Sequence, residues 1–146
     1  MKDFDYSAPV SVQEATTLLA KHGDQARMLA GGTDIIVQLR EGLRDAAMVI
    51  DIKKIPELMA IDYSAESGLT LGAGVPCYQV YENAEISAAY TGLADSTRII
   101  GGWQIQSRAS VGGNLCNSSP AADTIPALIS LAARCRIAGP DGERDV

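Results

Sequence analysis

Apolar and polar residues alternate with two different periods along the chain, and the periods mark out its elements. From Ser11 to Gly23 the apolar positions Val12, Ala15, Leu18 and Leu19 fall on one face of a helix. Ser11 and Glu14 have the spacing of a capping box at its start, and Gly23 is a natural stop. Phe4 to Tyr6 reads as a short edge strand before Pro9, and Ala26 to Ala30 as a buried strand. A second amphipathic helix follows, with Ile35, Ile36 and Leu39 toward the core and Gly42 at its end. Ala47 to Ile52 is a further strand, so the first third alternates strands and helices around a small sheet.

The pattern changes at Pro56. Pro56 to Leu58 suits a turn or short helix. Met59 to Tyr63 and Leu69 to Ala73 then form a predicted hairpin about Ala65, Glu66, Ser67 and Gly68. Gly72 and Gly74 suit close backbone packing. Pro76 to Glu82 reads as a helix opening on proline, and Ile86 to Ile100 as one or two helices interrupted at Thr91 and Gly92. Leu93, Ala94, Thr97 and Ile100 face the core in that reading. Ile125 to Ala133 is a predicted amphipathic helix, Arg134 to Ala138 a strand, Gly139 to Gly142 a turn, and Glu143 to Val146 the start of a return strand. A lobe boundary falls near residues 53–56, dividing 1–54 from 55–146.

Two glycine-rich stretches carry the candidate chemistry. The first is Ala30-Gly31-Gly32-Thr33-Asp34, between a strand and a helix. The first turn of a helix leaves N–H donors unpaired and carries partial positive charge, so this arrangement suits an anion. It is neither a P-loop, lacking the following Gly-Lys-Ser/Thr, nor a dinucleotide fingerprint, because the spacing is wrong. Thr33 or Asp34 also suits a plain helix cap. The second stretch runs from Ile100 to Asp123 and holds Gly101-Gly102, Gly112-Gly113, Asn114, Asn117, Ser118 and Ser119. Val111 to Asn114 reads as a tight turn whose N–H groups converge on an anionic or carbonyl-rich ligand, or as a bulged hairpin with no ligand.

Together, Ala30-Gly31-Gly32-Thr33-Asp34 and Ser110-Val111-Gly112-Gly113-Asn114-Leu115-Cys116-Asn117-Ser118-Ser119-Pro120-Ala121-Ala122-Asp123 resemble the two flavin loops of the FAD-binding subunit of molybdenum hydroxylases. That family includes the medium subunit of carbon monoxide dehydrogenase and the flavin domain of xanthine dehydrogenase. The order of the loops, their separation and their residue types all fit, and the resemblance runs from Phe4 to the last residue. It implies an α+β fold with α/β-like lobes, a two-lobed PCMH-type FAD-binding domain, with FAD between the lobes. It also implies that the second lobe is incomplete at Val146, which leaves a sheet edge exposed.

Site roles follow from the same resemblance. N–H groups around Ala30, Gly31, Gly32 and Thr33 cradle the pyrophosphate, with the Thr33 hydroxyl as a further donor. Asp34 caps its helix, since a carboxylate beside a diphosphate is repulsive. Ser110, Val111, Gly112, Gly113 and Asn114 take the phosphate–ribityl portion. Ser119 and Asp123 bond polar edges of FAD or orient the loop, and a buried Asp123 needs donors. Ile100 packs near the isoalloxazine. Trp103 is either near the flavin or a core anchor. Gln104 and Arg108 are surface or subunit-contact residues with open roles. In the resembled complexes FAD accepts electrons from 2Fe-2S clusters of a small subunit, and the molybdopterin sits on a large subunit. Reduced flavin then passes electrons to NAD or another acceptor. The chain needs no acid–base pair for this, and neither a catalytic pair nor a metal cluster stands out.

Composition narrows the alternatives. The 146 residues are 47% hydrophobic, which supports a core and excludes a disordered chain. A net charge of −6 argues against nucleic acid or an anionic membrane as partner. It also means an anionic ligand relies on local backbone donors. No stretch approaches the roughly 20 apolar residues of a membrane span. Met1 to Asp5 is no signal peptide, and cytoplasmic location is the expectation. Cys77, Cys116 and Cys135 are too dispersed for a metal site and read as small buried apolar residues. His22 suits a contact at a helix C-terminus. Two other functions stay open: a stand-alone flavin-dependent reductase of the same fold, and an interaction fragment that binds no flavin.

Overall fold

A computed structural model describes residues 2–146. Strands β1 (Asp5–Ser7), β2 (Ala26–Leu29) and β3 (Met48–Asp51) form a parallel sheet in the order β1-β3-β2. Ala26 pairs with Met48, and Asp5 also pairs with Met48 from the other side. Parallel strands need crossovers, and helices α1 (Val12–His22) and α2 (Ile35–Arg40) supply them. The central strand is buried on both faces, so Met48, Val49 and Ile50 are continuously apolar.

Helix α1 starts where the capping pattern places it. Ser11 Oγ accepts the Glu14 N–H at 3.2 Å. The reciprocal bond goes one residue earlier than a standard capping box, from the Val10 N–H to Glu14 Oε2 at 3.0 Å. Gly23 ends the helix at φ 52°, a conformation glycine adopts without strain. Val12, Ala15, Leu18 and Leu19 pack against Ala26, Met48 and Ile50, as their spacing requires.

Helix α2 departs from expectation on one point. Leu39 is buried and Ile35 packs beside it, but Ile36 is exposed, as is Val37. A helix of six residues offers the core little more than one turn of positions spaced three or four apart, and Ile35 with Leu39 occupy them.

The second half has its own core. After short helical turns at Ile52–Lys54 and Pro56–Met59, β4 (Ile61–Ser64) and β5 (Gly68–Leu71) form the expected antiparallel hairpin, with Ile61 opposite Leu71. Gly68 closes the turn at φ 81°. Helices α3 (Cys77–Glu82), α4 (Ala84–Ala89) and α5 (Thr91–Arg98) follow. The interruption falls at Tyr90 (φ −128°, ψ 54°), one residue before Thr91. Asn83 caps α4 by accepting the Glu85 and Ile86 N–H groups. Val75, Val80, Ile86, Leu93 and Val111 form this core, and Ala127 and Leu128 pack onto it.

The remaining elements are α6 (Trp103–Gln106), α7 (Val111–Cys116), α8 (Ile125–Ser130) and an antiparallel pair, β6 (Arg136–Gly139) with β7 (Gly142–Asp145). Helix α8 ends three residues earlier than Ala133, because the chain turns at Ala132 (φ 50°). Every residue of β7 is exposed.

Packing makes two measurable demands. Ile50 is fully buried in the sheet core, so Ile50→Ala should cost about 2–5 kcal/mol in denaturant unfolding. Ile129→Ala, on the outer face of α8, should change stability by less than about 0.5 kcal/mol. Burial raises the Cys77 thiol to about 11. A thiol alkylates as its thiolate, so at pH 8 the native chain should label at exposed Cys116 and leave Cys77 intact. Mass analysis after urea unfolding should then find all three cysteines modified.

Candidate functional site

The two glycine stretches, far apart in sequence, meet in the fold. Gly31 lies so close to the Arg108–Ala109 peptide that a Cβ there would run into the Arg108 carbonyl oxygen and sit 2.8 Å from Ala109 Cα. Arg108 returns the contact, its Nε donating to the Gly31 carbonyl at 3.2 Å. The Ala30 methyl would be 3.6 Å from a Cβ built on Gly113. Gln38 in α2 donates from Nε2 to Asn117 Oδ1 at 3.2 Å, joining the elements beyond both loops.

The first loop leaves β2 at Leu29, bends through Ala30 and Gly31, and passes through Gly32 at φ 83°. It then enters α2, where the Ile36 N–H donates to the Gly32 carbonyl. Thr33 is half-buried and Asp34 is exposed. Asp34 stands at the cap position, but its side chain makes no capping bond. Its backbone there is helical, whereas side-chain caps require extended geometry.

The second loop is a helix, not the expected tight turn or bulged hairpin. Ser110 is the N-cap of α7 with extended backbone (φ −132°, ψ 156°), and its Oγ accepts the Gly113 N–H at 3.1 Å. Asn114 N–H donates to the Ser110 carbonyl. Neither Gly112 nor Gly113 has positive φ. Glycine is needed for space instead: a Cβ on Gly112 would lie 2.6 Å from both the Cβ and the carbonyl oxygen of Ala73. Within the Ile100–Asp123 stretch the glycine with positive φ is Gly101, at 52°.

Asn114 binds the rest of the stretch. Its Oδ1 accepts the Thr124 hydroxyl at 2.6 Å and the Thr124 N–H at 3.2 Å. Thr124 is fully buried, and its role was not apparent from the sequence; its hydroxyl beside a run of small polar residues was the one available signal. Asp123, next to it, is exposed, so the buried, donor-supported carboxylate expected there is absent. Ser119 Oγ accepts the Ala121 N–H at 3.3 Å and so shapes its own turn. Ser119 also lines an open, mainly apolar concavity with Pro120, Ala122, Ile125, Pro126 and Ile129, on the α8 side of the glycine loops.

Ile100 is buried with Cys77 and Ala109, beneath the approach to Ser110. Ser110 itself is buried, and Cys77 N–H donates to the Ala109 carbonyl at 2.8 Å. Trp103 is 71% exposed and anchors no core. The apolar spacing around it belongs to a single helical turn, too short to bury a large ring. Among the described residues there is no group of three or more acidic, cysteine or histidine side chains that could hold a metal ion, and no helix is long and apolar enough to cross a membrane.

These features coincide with a known class. The family model described as the FAD binding domain in molybdopterin dehydrogenase matches residues 2–146. The chain belongs to that family, and its α+β fold is the PCMH-type FAD-binding fold that the two motifs imply. The carbon monoxide dehydrogenase medium chain of Hydrogenophaga pseudoflava is 31% identical over 98% of this chain and 50% of its own length. The nicotinate dehydrogenase FAD-subunit of Eubacterium barkeri is 32% identical over 100% of this chain and 49% of its own. A structure of the Hydrogenophaga pseudoflava carbon monoxide dehydrogenase that lacks the Mo-pyranopterin moiety superposes with a TM-score of 0.95, at 30% identity, over 99% of this chain and 50% of that one. Quinoline 2-oxidoreductase from Pseudomonas putida 86 gives 0.93 at 28% identity, over 100% of this chain and 51% of that one. The chain thus spans about half the length of the curated relatives it matches.

The packing of Gly112 sets a local test. Gly112→Ala should destabilise the chain by about 1–3 kcal/mol, since the added methyl meets the Ala73 backbone. Gly113→Ala should cost less, because its nearest neighbour is the Ser110 hydroxyl at 3.0 Å. Urea unfolding of the two variants side by side checks the order.

Proposed function

We propose that this chain is the FAD-binding electron-transfer part of a molybdenum-containing hydroxylase or dehydrogenase, and thus an oxidoreductase component. The observation that carries this reading is the meeting of the two glycine loops at Gly31 and Ala109 within a chain of this family. Bound FAD supplies the acceptance of electrons from iron–sulfur clusters of a small partner subunit and their delivery to NAD or another acceptor. A large subunit carries the molybdopterin and meets the substrate. The names of the relatives, which include the dehydrogenase medium chain and FAD-subunit, support an assembly of this kind. A cytoplasmic setting accords with three unpaired cysteines.

The chain's own residues bind, orient and shield. The donors around Ala30, Gly31, Gly32 and Thr33 hold the pyrophosphate. They suit a diphosphate because backbone N–H groups and a hydroxyl present no negative charge, and the carboxylate within the loop, Asp34, is exposed to water. Ser110, Val111, Gly112, Gly113 and Asn114 receive the phosphate–ribityl portion. Val111 and Gly112 head α7, where first-turn N–H groups have no intrahelical partner. Ser119 and Asp123 flank this region from the turn fixed by Asn114 and Thr124. Ile100 gives an apolar floor toward the isoalloxazine. Residues 1–54 and 55–146 form the two lobes, with FAD between them.

The test is absorbance and fluorescence titration of the purified chain with FAD, followed by cofactor release and mass analysis. Saturable uptake with flavin bands is the expected result. A folded chain that takes up no FAD, together with none by a chain extended to the length of its relatives, would refute the reading. Thr33→Ala should weaken FAD binding by about 1–2 kcal/mol, the scale of one hydrogen bond to a charged group. An unchanged dissociation constant would remove Thr33 from the site.

A further inference from the structure

Lys53 lies outside both glycine motifs, yet its side chain reaches the segments that support them. It follows β3 in the turn Ile52–Lys54, where its own N–H donates to Asp51 Oδ1 at 2.8 Å. Its Nζ donates to the Gly74 carbonyl at 2.8 Å and to the Arg108 carbonyl at 3.3 Å. Arg108 in turn donates to the Gly31 carbonyl. Lys53 forms no ion pair among the described residues. The nearby carboxylate, Asp51, is engaged by the Tyr6 hydroxyl and by the Lys53 backbone.

The two carbonyls bracket one critical contact. Gly112, in the first turn of α7, rests on Ala73 with no room for a Cβ. Gly74 is the neighbour of Ala73, and Arg108 lies two residues before the α7 cap. The turn that carries Ala73 is also held from below: the Gly72 and Gly74 N–H groups donate to Ala60 and Leu58, each at 2.8 Å. An ammonium binding Gly74 and Arg108 together therefore fixes how high α7 sits above that turn. Through Arg108 it also fixes the distance from α7 to the first glycine loop. A charged donor to a carbonyl is stronger than a neutral one, particularly when half-buried. Burial and the Arg108 charge lower the Lys53 pKa, and Asp51 opposes that shift.

We propose that Lys53 is a positioning residue for the cofactor loops: its ammonium ties the Gly74 turn to the Arg108 segment and so presets the spacing of the two glycine stretches that receive FAD. It acts on the ligand through these loops. The inference rests on the FAD reading above for its functional consequence, but the clamp itself has a readout without FAD.

The experiment compares the wild-type chain with Lys53→Met, which keeps length and removes the donors, Lys53→Arg, which keeps charge and donors, and Lys54→Met as an exposed neighbouring control. Amide exchange without FAD should quicken in Lys53→Met at Cys77 and Asn114, whose N–H groups bond to Ala109 and Ser110, and stay unchanged across α1. The FAD dissociation constant should rise about tenfold in Lys53→Met. Lys53→Arg should recover most of that loss, and Lys54→Met should match wild type. If Lys53→Met does not fold, Lys53→Gln should shift both readouts in the same direction. Wild-type exchange and affinity in Lys53→Met would overturn the proposal. So would lower thermal stability in Lys53→Met with affinity unchanged, which marks a purely structural lysine. If neither the wild type nor the extended chain takes up FAD, the functional reading fails by itself, and the exchange pattern still decides the clamp.

Discussion

Close approach of backbone to backbone, where no side chain intervenes, is the constraint on which the rest depends. Gly31 meets the Arg108–Ala109 peptide, Gly112 meets Ala73, and Gly72 meets Leu58. Each contact joins segments from different parts of the chain. A methyl group at any of them would force the layers apart, because protein interiors have almost no spare volume. The glycines serve less as hinges than as places where two main chains share one van der Waals surface. The two glycine loops meet through that shared surface.

Charge is arranged around this contact with economy. The chain is acidic overall, yet the surfaces between the loops are lined by carbonyls, N–H groups, hydroxyls and two cations. Arg108 and Lys53 point at carbonyl oxygens of the Gly31, Gly74 and Arg108 peptides. Carbonyl dipoles stabilise these cations, with Asp51, opposite Leu29 in the sheet, as the carboxylate close to Lys53. The acidic side chains within the two stretches, Asp34 and Asp123, stay exposed to water, where solvation disperses their charge.

Two cores stand on either side of the junction. One packs α1 against the three-stranded parallel sheet; the other packs the β4–β5 hairpin against α3, α5, α7 and α8. Ile52, Ile55 and Leu58, in the two short turns after β3, pack with the first core, while Val111 in the glycine helix belongs to the second. The second glycine stretch is therefore built into the helical core at Val111 while its neighbour Ala109 contacts the first loop. That double attachment makes α7 a rigid element, where a free loop would have many conformations to lose on binding.

Local pattern alone determined much of this. The helix at Val12–His22, its Ser11 cap and Gly23 stop, the three strands of the first half and the β4–β5 hairpin are visible in residue spacing, because each rests on short-range geometry, whereas the glycine motifs are read through resemblance to a family. Three matters were decided only by tertiary structure. Ser110–Asn114 forms a helix start because Ser110 is buried and caps Gly113, and Gly112 is glycine because Ala73 lies beneath it. Asp34 stays in water without capping its helix because its own backbone is helical, and Asn114 turns to Thr124, ten residues on. Trp103 stays outside because the turn that carries it presents no second face to a core. The contact of Gly112 with Ala73 is distant in sequence, and periodicity, which reports only a residue's near neighbours, contains no record of it.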